Sequence, residues 1–281
     1  MFKRWWPSFL GTLLVAVAFI WVYVFFPVMA KLPADYEQNY YFSGTVQVLN
    51  SATNQLNPAM PVNVTRALKA SGLEDDVLLM DQKITFTHAQ AGTELPFGSE
   101  EVYGLDRTTR ANVAGYGDID RTGQFTFPAN TQKQDYPFWS ATAHQSLTAK
   151  FVKEETYQGL TVYVFQVDQK NINLGTYANT GIPQTGDFLI NIKVEPVSGV
   201  PVYSDTTTTL KISPAPSVSM PIFISTIAYT TETIDEMVST AESTKSMIMW
   251  ASVYAFWIII GVGIVFIGIG FSEAAQLRAK S

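Results

Sequence analysis

Two stretches without an ionisable side chain constrain this chain more than any other feature. Between Arg4 and Lys31 no residue is charged, and the run includes Leu10, Leu13, Leu14, Val15, Val17, Phe19, Ile20, Val22, Val24 and Phe25. Between Lys245 and Glu273 the same is true, around a centre that reads from Trp257 through Ile260 to Ile267. A helix needs about 20 apolar residues to cross a hydrocarbon core, where it satisfies its own backbone groups. Membrane helices are therefore expected at 8–30 and 247–272. Trp5 and Trp6 border the first run, and Trp250 and Tyr254 the second, as amphipathic rings do at headgroup level. Lys3 and Arg4 precede the first run, and Arg278 and Lys280 follow the second. By the positive-inside rule both tails, 1–7 and 273–281, are expected in the cytoplasm, with everything between the crossings outside it. The alternative for the first run is a secretory signal cleaved after Val28-Met29-Ala30, although the run is long for that role.

Charge divides unevenly. The chain has 18 Lys+Arg against 24 Asp+Glu, a net of −6. The tails hold Lys3, Arg4, Arg278 and Lys280 against Glu273, which leaves 14 against 23, or −9, for the region between. An acidic surface of that size argues against nucleic acid and anionic headgroups as partners. There is no cysteine, which excludes disulfides and thiolate metal sites.

Residues 31–230 repeat with period two. Phe188, Ile190, Ile192 and Val194 share one face against Asn191, Lys193 and Glu195, with Leu189 the exception. Ile84 and Phe86 alternate with Lys83, Thr85 and Thr87, and Val46 and Val48 with Thr45 and Gln47. This is the pattern of strands with one dry and one wet face. Thr161 to Val167 is apolar on both faces and reads as a central strand. Gln158-Gly159, Pro196 to Gly199, Asn57-Pro58 and Ser71-Gly72 supply turns, and Pro214, Pro216 and Pro221 interrupt the chain before a last extended piece, Ile222 to Tyr229. The fold expected is mainly β, an antiparallel sandwich or barrel-like ectodomain between N- and C-terminal transmembrane helices. From 231 to 246 the period becomes helical: Thr233 with Glu236 predicts a capping box, and Ile234, Met237, Val238 and Ala241 fall on one face. This segment is expected to run on into the second crossing, as a stalk or as a short helix packed on the sheet.

Little here looks like catalytic chemistry. His88 and His144 are the two histidines and are far apart in sequence, and no serine sits in a Gly-x-Ser-x-Gly turn. Asp118, Asp120 and Gly123 copy the opening of a calcium loop, but its twelfth position is Ala129, where a bidentate acid is needed. An acid-rich turn paired with Arg107, Arg110 or Arg121 is the competing reading. Phe125, Phe127, Tyr136, Phe138 and Trp139, with Tyr40 and Tyr41, are either core or an apolar surface or cavity for a lipid chain or partner. Gly261 with Gly268, and Gly263 with Gly270, lie seven apart on two stripes where helix backbones can approach closely in lipid.

Four stretches carry a family resemblance: Tyr103-Gly104-Leu105-Asp106-Arg107, then Phe125-Thr126-Phe127-Pro128 leading to Tyr136-Pro137-Phe138-Trp139, then Gly159 to Tyr163, then Val194 to Val200. Tyr229 to Thr233 fits as well. In that order, with a membrane helix at each end, the chain resembles the DUF3068 group, often labelled porin PorA family proteins, of prokaryotic envelopes. The resemblance implies an envelope location and supplies no catalytic residues. A porin built as a membrane barrel needs a lipid-facing apolar side on its strands, whereas Lys83, Lys193 and Glu195 predict wet faces. The expectation is a two-pass protein of the cytoplasmic membrane, without enzymatic activity or cofactor, that binds a lipid or another membrane protein near the membrane surface. The alternative is a channel-type or accessory subunit of a larger membrane complex.

Overall fold

The computed structural model describes residues 6–26, 31–215 and 218–278. Lys3, Arg4, Trp5, Val28-Met29-Ala30, Pro216 and Lys280, which carried sequence expectations, lie outside the described residues. The chain divides into two compact units, residues 32–242 and the two terminal segments together.

In residues 32–242 the period-two pattern becomes twelve strands: β1 (Glu37–Asn50), β2 (Gln55–Leu56), β3 (Met60–Glu74), β4 (Val77–His88), β5 (Glu94–Asp106), β6 (Asn112–Gly117), β7 (Tyr136–Ser140), β8 (Gln145–Tyr157), β9 (Leu160–Thr176), β10 (Pro183–Glu195), β11 (Val200–Ala215) and β12 (Val218–Tyr229). They form one open antiparallel sheet in the order β6-β5-β4-β3-β1-β12-β11-β10-β9-β8-β7, with β2 paired to β1 alone. Strands adjacent in sequence are neighbours except for β2 with β3 and for β6 and β7, which form the two edges, and the first long strand lies beside the last. The two edges are tied by one residue: Gln124 bridges Ala111 on one side and Phe138 on the other. Its N–H donates to Pro137 at 2.6 Å and its carbonyl accepts from Trp139 at 3.0 Å. The mainly β, antiparallel architecture flanked by two apolar helices is the one expected.

Tight turns account for the register. Asp75 and Asp76 both take positive φ, 49° and 68°, as do Gln158 and Gly159, 49° and 81°. Two successive left-handed residues match the right-handed twist of the strands they join. Three sequence signals mislead. Ser71-Gly72 does not end a strand, because β3 absorbs it as a register shift between Ala70 and Gly72. Pro214 and Pro221 do not interrupt the sheet either; each sits in the β11–β12 hairpin where the register slips. A bulge or strand end tolerates proline because no ladder N–H is required there.

Burial follows the predicted faces except at Glu195, which was read as wet but is fully buried, its carboxylate accepting from the Ser198 N–H at 2.8 Å in the turn that follows β10. Phe188 and Val194 are buried with Phe127, Tyr136, Leu147, Phe165 and Val167 in one core, against which Ile190 and Ile192 pack, whereas Leu189 is exposed. Val46, Val62, Val64, Leu68, Leu78, Met80 and Leu105 make a second core. Each such side chain contributes about 1.5–3 kcal/mol by leaving water. A third, smaller core explains why Thr161 to Val167 is apolar on both faces: Leu160, Val162 and Val202 are covered by Ala241 and Val238.

Those last two residues belong to α2 (Thr231–Met249). Its buried positions are Thr233, Met237 and Ala241, so the predicted apolar face is the one used. The cap differs from expectation. Thr230, just outside the helix, is the capping residue, and its hydroxyl accepts from the Thr233 N–H at 3.2 Å. Thr233 is already inside the first turn. Its hydroxyl accepts from the Tyr41 N–H and donates to the Tyr41 carbonyl, both at 3.0 Å, while Glu236 accepts from Gln38.

The other unit is a helix pair. α1 (Trp6–Ile20) continues as a π-helical turn, Trp21–Phe25, and α2 passes through a second π turn, Trp250–Tyr254, into α3 (Ala255–Arg278). Trp6–Val24 and Thr231–Ser272 are both long and apolar enough to cross a membrane.

Candidate functional site

The helix pair is antiparallel, with Ser8 beside Gly270 and Trp21 beside Ala251. The two glycine stripes have different fates. A Cβ on Gly263 would stand 2.9 Å from the Gly11 carbonyl and 3.0 Å from Val15, and one on Gly270 would meet Ser8. Gly261 and Gly268 meet nothing within 4 Å and face away from the pair. Small residues at 263 and 270 therefore let two backbones touch. At the far end the Trp21 indole donates to the Ala251 carbonyl at 2.8 Å, so the two π turns are joined.

In residues 32–242 the aromatic residues do not form one surface. Phe125 and Tyr40 are buried in the core of β1, β3, β4 and β5, with Trp139 packed against it. Phe127 and Tyr136 are buried in the core of β7 to β10, with Phe138 packed against it. Tyr41 is the exposed one. The four buried residues do not present an exposed apolar surface, because their rings pack against neighbouring aromatics, Tyr40 on Tyr229 and Phe125 on Tyr103. Phe127 lies 4.5 Å from Phe165, 4.7 Å from Phe138 and 5.4 Å from Tyr136, centroid to centroid.

The acid loop is organised by an arginine. Arg121 is buried, pairs with Asp118 and donates to the Val102 carbonyl at 2.8 Å. Asp120 accepts from the Gly115 N–H at 2.7 Å. Burial pushes the Asp118 carboxyl up, but the hydrogen bond and charge of Arg121 bring it below its ordinary value. Asp118 is thus turned toward an arginine. No group of three or more His, Asp or Glu side chains poised for a metal occurs among the described residues. The other two arginines do not join the loop: Arg107 pairs with Asp76 at 3.4 Å, and Arg110 donates to the carbonyls of Phe127, Ser198 and Gly199.

What the sequence reading missed is a polar seam inside the first core. Register places Arg66 opposite Tyr40 and Gln82 opposite Glu101, all on the inner face. Arg66 Nε donates to Gln82 Oε1 at 2.6 Å. The Gln82 amide donates in turn to Glu101 and to the Tyr103 hydroxyl, each at 3.1 Å, and Tyr103 donates to Glu101. Two guanidinium groups bracket two rings: Arg66 lies 5.1 Å from Phe125, Phe125 4.7 Å from Tyr103, and Tyr103 4.0 Å from Arg121. Stacks of this kind contribute about 0.5–2 kcal/mol per contact. Burial raises the phenols of Tyr40, Tyr103 and Tyr229 above their ordinary value, and the Arg66 charge opposes that at each. The one available signal was Arg66 itself, a charge in phase with Val64 and Leu68.

An antiparallel β domain in one chain with two paired apolar helices defines a helix-anchored protein of membrane or envelope. The chain belongs to the family described as Porin PorA, whose sequence model matches residues 8–272, nearly the whole chain. No curated protein matches it.

Proposed function

We propose that this is a two-pass membrane protein, with both termini cytoplasmic, whose β domain lies outside the cytoplasm and binds a lipid or a protein partner without catalysis. The observation that carries the reading is the antiparallel pair formed by 6–25 and 250–272, which brings Ser8 and Gly270 together at one end of a two-helix unit. The outward side chains of the sheet fit a watery setting. Ser43, Thr45, Asn63, Asp81, Lys83, Asp168 and Thr226 are exposed, and lipid would solvate them poorly. The anchoring elements in this reading are the helices, not the strands.

Because the chain has no cysteine, the topology is directly testable. A single Thr45→Cys is expected to react with a membrane-impermeant maleimide on intact cells or protoplasts, and a cysteine appended after Ser281 only after lysis. The reverse pattern would sink the proposed orientation. For the binding half, native mass spectrometry of the protein in mild detergent is expected to show retained lipid or protein. A bare monomer that conducts ions in planar bilayers would favour the second reading, a channel-type subunit, which rests on the family's description.

A further inference from the structure

The inner face of β3 carries a cation that its own domain leaves without a counter-charge. Among the described residues Arg66 makes one hydrogen bond, to the neutral Gln82, and no carboxylate comes within 4 Å of it. The acid that might have neutralised it, Glu101, is engaged by Gln82 and Tyr103. The amide between them is fixed in orientation, because its NH2 is used by two acceptors and its oxygen is left for Arg66. Around the guanidinium stand Tyr40, ring face toward it at 5.8 Å, and Tyr229, stacked 5.7 Å from Tyr40. The Tyr229 hydroxyl has no hydrogen-bond partner among the described residues, and the hydroxyls of Tyr40 and Tyr36 meet at 3.4 Å. Burial raises the phenols of Tyr40 and Tyr229 above their ordinary value, so these two offer O–H donors and no negative charge. A second guanidinium, Arg110, is held by main-chain carbonyls, and it too has no carboxylate within 4 Å among the described residues. Both guanidinium groups are half-buried, so a cation without a carboxylate at hand is only partly hydrated and stays reachable from solvent by an anion.

We propose that Arg66, with the Tyr229 and Tyr40 hydroxyls, receives an oxyanion, either phosphate or carboxylate, inside the β domain. With Nε committed to Gln82, the guanidinium presents its two terminal nitrogens as a fork, the geometry that two oxygens of such a group accept. The acidic exterior, −9 between the crossings, makes an internal cation selective for a ligand that brings its charge on one end. The source is either a free anion or the head of an amphiphile. The assignment rests on the reading of the chain as a ligand-binding protein.

The test uses the full chain in neutral detergent, titrated calorimetrically with inorganic phosphate, acetate, lysophosphatidic acid and palmitate. Saturable one-to-one binding of phosphate or acetate, weakened at least tenfold by Arg66→Gln, supports a free-anion site. Saturable binding confined to the two amphiphiles, with the same loss, supports a headgroup site. Arg66→Lys keeps the charge without the fork and is expected to bind less tightly than the parent, which covers the case in which Arg66→Gln does not fold. No saturable binding of any probe, or binding unchanged in both variants, overturns the proposal. If lipid is still retained in native mass spectrometry in that event, the broader reading stands and only the oxyanion site is lost. Phosphate binding without any retained lipid or partner has the opposite meaning.

Discussion

Replacing Phe127 by alanine separates a core role from a ligand-facing one. The ring is 1 % exposed and touches Phe165, Phe138 and Tyr136 at centroid separations of 4.5, 4.7 and 5.4 Å. Removing a buried phenyl group costs about 3–5 kcal/mol, including the cavity left behind. The upper half of that range is expected, since three ring contacts are lost together. A β domain of this size unfolds in urea with a slope of about 2–3 kcal/mol per molar. The midpoint should therefore fall by about 1.3–2.5 M. Trp139 is the one tryptophan of six between the apolar runs, so its fluorescence reports on this domain with little interference once the helix tryptophans are held in detergent. Tyr41→Ala, at an exposed position, is the control and should move the midpoint by less than about 0.3 M, within the ordinary surface range. If Phe127→Ala behaves like Tyr41→Ala, the ring is not a structural member of the core, and the packing argument for the whole aromatic group fails.

Three further outcomes are expected. Gly263→Leu should lower the thermal stability of the helix pair in detergent, since its side chain meets Gly11 and Val15, whereas Gly261→Leu should leave it unchanged; equal effects would contradict the antiparallel contact. Thr233→Val keeps the shape but orphans the Tyr41 N–H, and should cost about 1–3 kcal/mol in urea denaturation, against about 1 kcal/mol for removing the cap with Thr230→Ala. Asp118, Asp187 and Glu155 have carboxyls held below their ordinary values: burial raises the first two but Arg121 and Lys211 outweigh it, and Lys153 and Lys193 hold Glu155. A depressed folded-state value means that their contribution is fully present at neutral pH and drains away as pH falls below about 4, so a urea midpoint that rises on acidification would refute these pairings.

The sheet was legible wherever one face is wet. Phe188, Ile190, Ile192 and Val194 announced their side by alternation, and Leu189 stood out as the exposed exception it proves to be. Thr161 to Val167 read as central, but the reason lay elsewhere, in Val238 and Ala241 nearly eighty residues on, and no local pattern encodes what covers a strand's second face. Proline and glycine misled for a related reason: Pro214, Pro221 and Gly72 sit at register slips, which depend on the partner strand. The candidate site was the least legible part. Arg66 breaks its strand's alternation, yet a charge at an inward position is indistinguishable in sequence from one at a strand's wet end. Only pairing with Tyr40 on one side and Ile84 on the other fixes it inside. The glycine spacing was visible, but not which stripe would be used.

The adjacency of β1 and β12 sets a timetable for synthesis. β1 can pair with β3 soon after both are made, but its other edge waits for a strand that begins only at Val218. At 5–20 residues per second that delay is on the order of ten to thirty seconds. During it, residues 42–48 present an unpaired edge carrying Phe42, Val46 and Val48. A helper that shields strand edges has its natural target there. The polar Ser43, Thr45 and Gln47 that alternate along that edge make the wait safer, because a neighbouring nascent chain docking on it finds no apolar outer face to bury.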